Sequence, residues 1–374
     1  PDVIIVNTCA VTGRSEKKAV FLLRRLRRRY PAARLGAAGC MARAPHAPLL
    51  QVSELDLVAA GPEEIEPGLA GLSPPPGPRP GRMRAFVKIQ DGCDRACTYC
   101  IVPRLRGAPW HRPRGEVAEE AAGLLPWGVK EITLVGIHLA SYRPGLETLL
   151  GELFRLPGLA RIRLSSLDPG DLGEEMLRGL ARYPGLCPHF HLPLQSGSDA
   201  VLARMGRPYR KEDFLRKVLW IRRYWDRPAI TTDCLVGFPG ETDAQYRETL
   251  EVIRGAGLAR VHVFPFSPRP GTPAAAFSGQ CTPGVLRQRV RGVEEVSALA
   301  RDSYARSLLG ARDTLLVETA GPEGAVGYLS RYLTARIPVS PETGEGEIVT
   351  VELTRWEEGI FTGSCKSPGN RADN

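Results

Sequence analysis

The stretch Lys88-Ile89-Gln90-Asp91-Gly92-Cys93-Asp94-Arg95-Ala96-Cys97-Thr98-Tyr99-Cys100 decides how the chain is read. Its C-x3-C-x2-C spacing puts three thiolates in one loop, enough to wrap three irons of a cubane cluster and leave the fourth iron without a protein ligand. A vacant iron is a binding position. Zinc wants a tetrahedral fourth ligand, normally from a second paired Cys/His motif, and none follows nearby. A redox C-x2-C pair leaves Cys93 unexplained. The spacing therefore favours the cluster over both alternatives.

Phe86–Ile89 just before the loop reads as a strand, and apolar β-branched runs recur at Glu131–Val135, Arg161–Leu164, His189–Leu192, Ile230–Val236 and Arg260–Phe264. Helical patterns alternate with them at Val117–Leu125, Leu172–Tyr183, Lys211–Tyr224 and Asp243–Arg254, and a long helix is expected over Pro283–Leu309. Six consecutive β/α units predict an α/β fold, a parallel barrel or partial barrel with its chemistry in the loops after the strands. Those loops hold the unusual residues: the three cysteines, Gly136-Ile137-His138, Ser165-Ser166, Gln195–Ser198, Gly237–Glu241 and Ser267–Thr272.

Upstream, strand-like Val3–Val6, Arg34–Ala38 and Leu55–Ala59 alternate with a basic amphipathic helix over Ser15–Tyr30, which predicts a small parallel α/β sheet. Cys9 and Cys40 each follow a strand, at the carboxyl edge where such sheets bind ligands. Gly71–Gly81 holds five prolines in eleven residues and reads as a linker. Downstream, Thr314–Glu318, Tyr332–Ile337, Ile348–Leu353 and Ile360–Gly363 with Gly-rich turns predict a small all-β barrel. The expected domains are a partial N-terminal sheet domain over 1–70, a linker over 71–83, the α/β barrel over 84–309, the small barrel over 310–365 and a tail over 366–374.

The chain has 374 residues, 43% hydrophobic and 24% charged, and no run nears the ~18 apolar residues of a membrane helix. A membrane span and a disulfide-stapled peptide are thereby excluded. The net charge of +9 is localised: residues 1–30 carry eight basic and two acidic side chains, and residues 79–115 carry nine and two. Clustered cations of this kind are the footprint of a polyanion-binding face. No signal peptide precedes the nine cysteines, so a cytoplasmic location and ligand or catalytic thiols are expected. Cys187, Cys234, Cys281 and Cys365 show no ligand spacing and read as structural.

The cysteine loop, its place after the first barrel strand and Tyr99 before the last cysteine resemble the signature of radical S-adenosylmethionine (SAM) enzymes. That resemblance implies that Cys93, Cys97 and Cys100 hold a 4Fe-4S cluster whose open iron chelates SAM. One electron then cleaves the sulfonium to give a 5′-deoxyadenosyl radical. It further implies that Gly136 meets the methionine amino group, that Ser165 and Gln195 lie near the ribose and carboxylate, and that Tyr99 and Phe264-Pro265-Phe266 lie near the adenine. Asn7-Thr8-Cys9-Ala10-Val11-Thr12 and Ala38-Gly39-Cys40 resemble the methylthiotransferases, in which three N-terminal cysteines hold a second 4Fe-4S cluster. Cys9 and Cys40 match two of them. The first ligand of that set lies upstream of the Asn-Thr-Cys strand, and the chain, which opens without Met in an apolar run, is expected to be the remainder of a longer protein.

Among the methylthiotransferases, Asn7–Thr12, Val135–His138, Arg163–Ser166 and Asp233–Glu241 look most like the group acting on N(6)-threonylcarbamoyladenosine at position 37 of tRNA, beside the anticodon. The alternatives are methylthiolation of isopentenyladenosine in tRNA or of a ribosomal-protein aspartate, and, from another class, a zinc-bearing RNA-binding protein. Carbon 2 of an adenine resists acid–base substitution, so radical chemistry from a cofactor is required and no side-chain acid or base is assigned. Arg24, Arg25 and Arg28 on the basic helix, with Arg104, Arg106 and Arg112 beside the barrel opening, are expected to meet tRNA phosphates. A small electron-transfer protein is the expected reductant, and the expected state is a monomer. Two features depart from the resemblance. Trp110-His111 stands where relatives carry a basic residue and a serine, and the TRAM-like barrel over 310–374 holds six basic against ten acidic side chains.

Overall fold

Alternation of apolar and polar residues decides which face of each strand is buried, and residues 84–88 show it directly. In the computed structural model Val87 is fully buried against the flanking helices, whereas Phe86, one residue earlier, is 66% exposed on the opposite face. The structure describes residues 1–10, 13–44, 49, 52–60, 64, 83–340 and 343–365. The expected linker lies outside them apart from Met83, as do Val11, Thr12 and the tail 366–374.

The chain forms two compact units, divided differently from the sequence-based domains. The first joins Pro1–Gly77 with Gly92–Ala108 and Ser267–Phe277. Its sheet is parallel, in the order β1 (Val3–Thr8), β2 (Arg34–Gly39), β3 (Leu57–Ala59). Helix α1 (Gly13–Arg29) carries Arg27, Arg28 and Arg29 in its last turn, where the helix dipole favours cations. Arg27 ties that end down by donating to the carbonyls of Ala33 at 2.7 Å and Glu54 at 2.7 Å. The short helix α2 (Val102–Arg106) of the cysteine loop contributes Leu105 to a core with Ala10, Leu23, Leu35 and Cys40. The loop thus belongs to the core of the N-terminal sheet, a long-range association that local periodicity does not encode.

The second unit contains the barrel strands β4 (Arg84–Lys88), β7 (Glu131–Val135), β8 (Arg161–Leu164), β9 (His189–His191), β10 (Ala229–Val236) and β11 (Arg260–Pro265). They form two parallel three-stranded sheets, β4-β7-β8 and β9-β10-β11, bridged in parallel at Ser166 and His191. Helices α3 (Arg114–Leu124), α4 (Leu146–Leu153), α5 (Glu174–Leu180), α6 (Asp199–Arg204), α7 (Lys211–Tyr224) and α8 (Asp243–Gly255) alternate with these strands, and β5 (Gln90–Asp91) pairs with β6 (Trp110–His111). Helix α9 (Pro283–Ser307) starts at an N-cap where the Thr282 hydroxyl accepts from the Val285 N–H, with proline first. Strands β12 (Arg312–Gly321), β13 (Gly324–Leu329), β14 (Thr334–Ile337), β15 (Ile348–Glu357) and β16 (Ile360–Cys365) close a barrel in the order β12-β13-β14-β16-β15. The α/β fold with its small five-stranded barrel is as the sequence predicts. Strand β13 is an addition, because Gly324 and Gly327 read as turn residues.

The small barrel is joined to the parallel strands through a buried charge cluster. Glu131, fully buried at the start of β7, accepts from the Arg163 Nε at 3.0 Å and from the Arg161 Nε at 2.5 Å. The same guanidinium groups donate onward to the carbonyls of Thr314 at 3.0 Å, Tyr328 at 2.9 Å and Ser330 at 2.8 Å. Burial pushes the Glu131 carboxyl up, but Arg163 and Arg161 outweigh it and hold it below the ordinary carboxylate range. Its contribution to stability is therefore complete above the unfolded carboxyl's pKa and is lost as pH falls through the lowered folded value. Glu131→Gln leaves two buried guanidiniums without their counter-ion and is expected to cost about 3–5 kcal/mol in urea unfolding at neutral pH. The difference from the parent is expected to shrink as the medium is acidified.

Candidate active site

Two sets of thiols lie in the first unit. The parallel register pairs Thr8 with Gly39, so Cys9 and Cys40 occupy the next positions at the carboxyl ends of adjoining strands. Cys9 is exposed and Cys40 buried. Gly39 makes the turn at φ +98°, where a β-carbon would lie 2.4 Å from the Asn7 Oδ1. The Arg106 Nε donates to the Cys40 Sγ at 3.2 Å, setting a guanidinium against this sulfur.

Cys93, Cys97 and Cys100 share the loop Gly92–Ala108 of the same unit. It is pinched at its base: the Cys93 N–H donates to the Gly107 carbonyl at 3.1 Å, and Gly92 at φ +71° leaves room for no side chain, since a β-carbon would stand 2.2 Å from the Ala108 carbonyl oxygen. The Cys100 N–H donates to the Cys97 carbonyl at 3.1 Å, and Cys97 is buried while Cys93 and Cys100 are half-buried. Burial pushes the Cys93 thiol up. All nine cysteines lie outside any disulfide. Three thiols four and three residues apart on a loop closed by its own backbone fit an iron–sulfur cluster, which asks for thiolates supplied from one loop.

Ser267–Phe277 supports both sets within that unit. The Arg269 guanidinium donates to the Ala10 carbonyl at 2.6 Å, next to Cys9, and pairs with Glu16 of α1. The Ala274 N–H donates to the Thr98 carbonyl at 2.8 Å, inside the cysteine loop. Sequence reading missed Arg269, although its place in the Ser267–Thr272 loop after the last barrel strand was a signal.

The expected SAM-binding residues divide between the units, with Tyr99 in the first and Gly136, Ser165, Gln195 and Phe264 in the second. Gly136 and Ser165 are brought together, the Gly136 N–H donating to the Ser165 Oγ at 3.3 Å. A β-carbon on Gly136 would come within 3.1 Å of Gln90 and Leu139, so any side chain there would have to push these neighbours aside. Gln195 sits at φ +63° with its N–H on the Asp233 carbonyl at 2.9 Å. Phe264 is 42% exposed, whereas Phe266 is buried edge-on to Phe238. Gln90, fully buried and not singled out from sequence, accepts from the His138 N–H at 2.7 Å and fixes the turn after β7.

The six expected phosphate-binding arginines do not act alike. Arg24 and Arg25 are exposed on α1, and Arg28, also exposed, leans back on the Arg24 carbonyl at 3.4 Å. Arg104 instead donates to the Gly271 carbonyl, Arg106 to Cys40, and Arg112 pairs with Glu120 and Glu116. Internal contacts are not confined to these three, since the Arg24 Nε lies 3.7 Å from a Glu54 carboxylate oxygen. Cys187 and Cys234 are buried, the Cys187 thiol pushed up to about 11 by burial, as suits structural residues.

A Radical SAM superfamily model matches residues 87–253, and the model described as Uncharacterized protein family UPF0004 matches residues 1–60. A threonylcarbamoyladenosine tRNA methylthiotransferase MtaB of Chlamydia pneumoniae is 35% identical over 367 residues, 96% of this chain and 87% of the relative. The chain belongs to the radical SAM methylthiotransferase family. A tRNA-2-methylthio-N(6)-dimethylallyladenosine synthase of Parafrankia sp. is 36% identical over 88% of this chain and 73% of its own. In fold, the structure resembles the radical SAM methyltransferase TsrM of Kitasatospora setae, at a TM-score of 0.58 and 17% identity over 74% of this chain and 64% of that one. As a member of the radical SAM superfamily this methylthiotransferase uses a 4Fe-4S cluster and SAM. Among the described residues no helix is long and apolar enough to cross a membrane.

The pinch at Gly92 makes a direct test. Gly92→Ala is expected to strain the base of the loop and prevent its closure, lowering the melting temperature by a few degrees while the chain still folds, so that anaerobic reconstitution yields protein depleted of the iron and sulfide of one cluster. Iron and sulfide assays on the folded variant, read beside its melting curve, check it.

Proposed function

We propose that this enzyme methylthiolates carbon 2 of N(6)-threonylcarbamoyladenosine at position 37 of tRNA, giving 2-methylthio-N(6)-threonylcarbamoyladenosine. The observation that carries the reading is the pairing, in one unit, of the Cys93/Cys97/Cys100 loop with the adjoining thiols Cys9 and Cys40. The choice of base is supported by the share of the relative that is matched, 87% of the threonylcarbamoyladenosine enzyme against 73% of the dimethylallyladenosine one, and by the motifs at Asn7–Thr12 and Asp233–Glu241. Identity alone, 35% against 36%, does not separate them.

Cys93, Cys97 and Cys100 hold the radical cluster, and Cys9 and Cys40 are two of the ligands of a second, sulfur-supplying cluster. Together with SAM these groups supply the one-electron chemistry that a carbon neither acidic nor electrophilic demands. The protein's own residues position and insulate. Gly136 and Ser165 present backbone and hydroxyl to SAM at the strand ends, and Tyr99 and Phe264 offer their rings to its adenine. Arg106 sets positive charge beside Cys40. Arg24, Arg25 and Arg28 bind stem phosphates, and the target base is splayed out of its loop, as enzymes acting on base atoms require. A small electron-transfer protein delivers the electron, and the reaction takes place in the cytoplasm.

Nucleoside mass spectrometry of tRNA from cells with and without the gene tests the reading. Loss of the 2-methylthio-threonylcarbamoyl nucleoside, with its unthiolated precursor accumulating, is the expected result; loss of the dimethylallyl counterpart instead overturns the choice of base. For the helix, Arg24→Glu with Arg25→Glu is expected to weaken tRNA binding and flatten its dependence on salt by roughly one unit of log–log slope for each phosphate no longer neutralised. Equilibrium binding over a salt series measures both quantities.

A further inference from the structure

A cavity of about 590 Å³ within the second unit, between the parallel strands and the small barrel, has no role in what precedes. Its volume falls in the range of ligand pockets, roughly 300–1,000 Å³. One strand register crosses it: Ser166 bridges His191, His191 pairs with Thr231, and Thr231 pairs with Arg260. All four line the cavity, together with His189 and His262. His191 is held in place, its Nδ1 at 3.0 Å from the Thr231 Oγ1 and its Nε2 at 3.3 Å from an Asp233 carboxylate oxygen.

Two groups in this wall keep hydrogen-bonding capacity. His189 is only 7% exposed; its Nε2 lies 3.4 Å from the Thr231 Oγ1, and its Nδ1 has no hydrogen-bond partner. Arg260 is exposed to the cavity, and no carboxylate lies within 4 Å of it among the described residues. The other arginines of the wall differ: Arg163 is saturated by Glu131 and the Ser330 carbonyl, Arg331 by Asp313 and the carbonyls of Arg227 and Asp226, and Arg301 lies 3.5 Å from an Asp302 carboxylate oxygen. Burial pulls His189 and His262 below the ordinary histidine range, so both stand as neutral rings that can donate and accept.

On a purine, carbons 2 and 6 both flank N1, so the groups they carry point about 120° apart. A base that shows carbon 2 to the strand ends at Gly136 and Ser165 can therefore turn its N6 group sideways into this lumen, where Ser166 begins the polar row one residue beyond Ser165. We infer that the cavity is the specificity pocket for a polar, anionic N6 substituent, with Arg260 as counter-ion to its carboxylate and His189, His191 and His262 as the hydrogen-bonding wall. The inference rests on the proposed function and deepens it. A threonylcarbamoyl group brings a carboxylate, a hydroxyl and a ureido group to these partners. A dimethylallyl group would bury the same polar atoms against hydrocarbon and leave them unpaired, the arrangement by which polar sites reject apolar analogues.

The test uses the reconstituted holoenzyme and three anticodon stem-loops, carrying threonylcarbamoyladenosine, dimethylallyladenosine or plain adenosine. The parent enzyme is expected to prefer the first by kcat/KM. Arg260→Met is expected to cut that preference over plain adenosine roughly 10- to 100-fold, the worth of a charge-assisted hydrogen bond, and Arg260→Lys to restore most of it. If the parent prefers threonylcarbamoyladenosine and Arg260→Met keeps the full preference, the pocket assignment falls and the proposed function stands. If the parent prefers dimethylallyladenosine, both fall.

Discussion

Everything in the second unit depends on one carboxylate. Glu131 takes the charge of Arg161 and Arg163, side chains two apart on β8 and so on the same face of the sheet, and frees their remaining N–H groups to reach carbonyls of the small barrel. Two unpaired arginines there would be prohibitive, and an apolar replacement would give the small barrel no fixed register against the strands. The cluster is thus a positioning device more than a source of stability, because desolvation consumes much of what the ion pairs return. Its geometric product is the walled space between strands and barrel.

That arrangement gives the small barrel a purpose its charge denied it. Six basic against ten acidic side chains over 310–374 make it a poor holder of phosphate. Its Tyr328 and Tyr332 instead stack at 5.0 Å, with Arg84 over the Tyr328 ring at 4.5 Å and Arg163 over the Tyr332 ring at 4.6 Å, and both tyrosines wall the cavity. The module lines the cavity.

Much of this was legible in the sequence because periodicity and spacing are local. Glu131–Val135, Arg161–Leu164 and Lys211–Tyr224 fall at their predicted bounds, and the C-x3-C-x2-C loop follows β4 as expected. What escaped was whatever depends on distant segments meeting. Arg269 reads as a loop cation until it is seen on Glu16 and the Ala10 carbonyl, 259 residues away in sequence from the latter. The Gly271 carbonyl at Arg104 and the Cys40 sulfur at Arg106 are likewise contacts that a count of charges does not reveal. Helices Leu146–Leu153 and Asp199–Arg204 were too short for their periodicity to rise above the surrounding turns.

The cysteine loop belongs by packing to the N-terminal sheet but by covalent order to the barrel, and that mismatch bears on how the protein can be recombined. The inheritable part is discontinuous: Pro1–Gly77, Gly92–Ala108 and Ser267–Phe277 travel as one piece. A chimera spliced at the proline-rich stretch would marry a foreign Cys40 to a resident Arg106, and a foreign Glu16 to a resident Arg269, disturbing two pairings that a division into contiguous modules would not reveal. Exchange among relatives is therefore constrained by joints within the loop and the late segment, not by the apparent seam between domains.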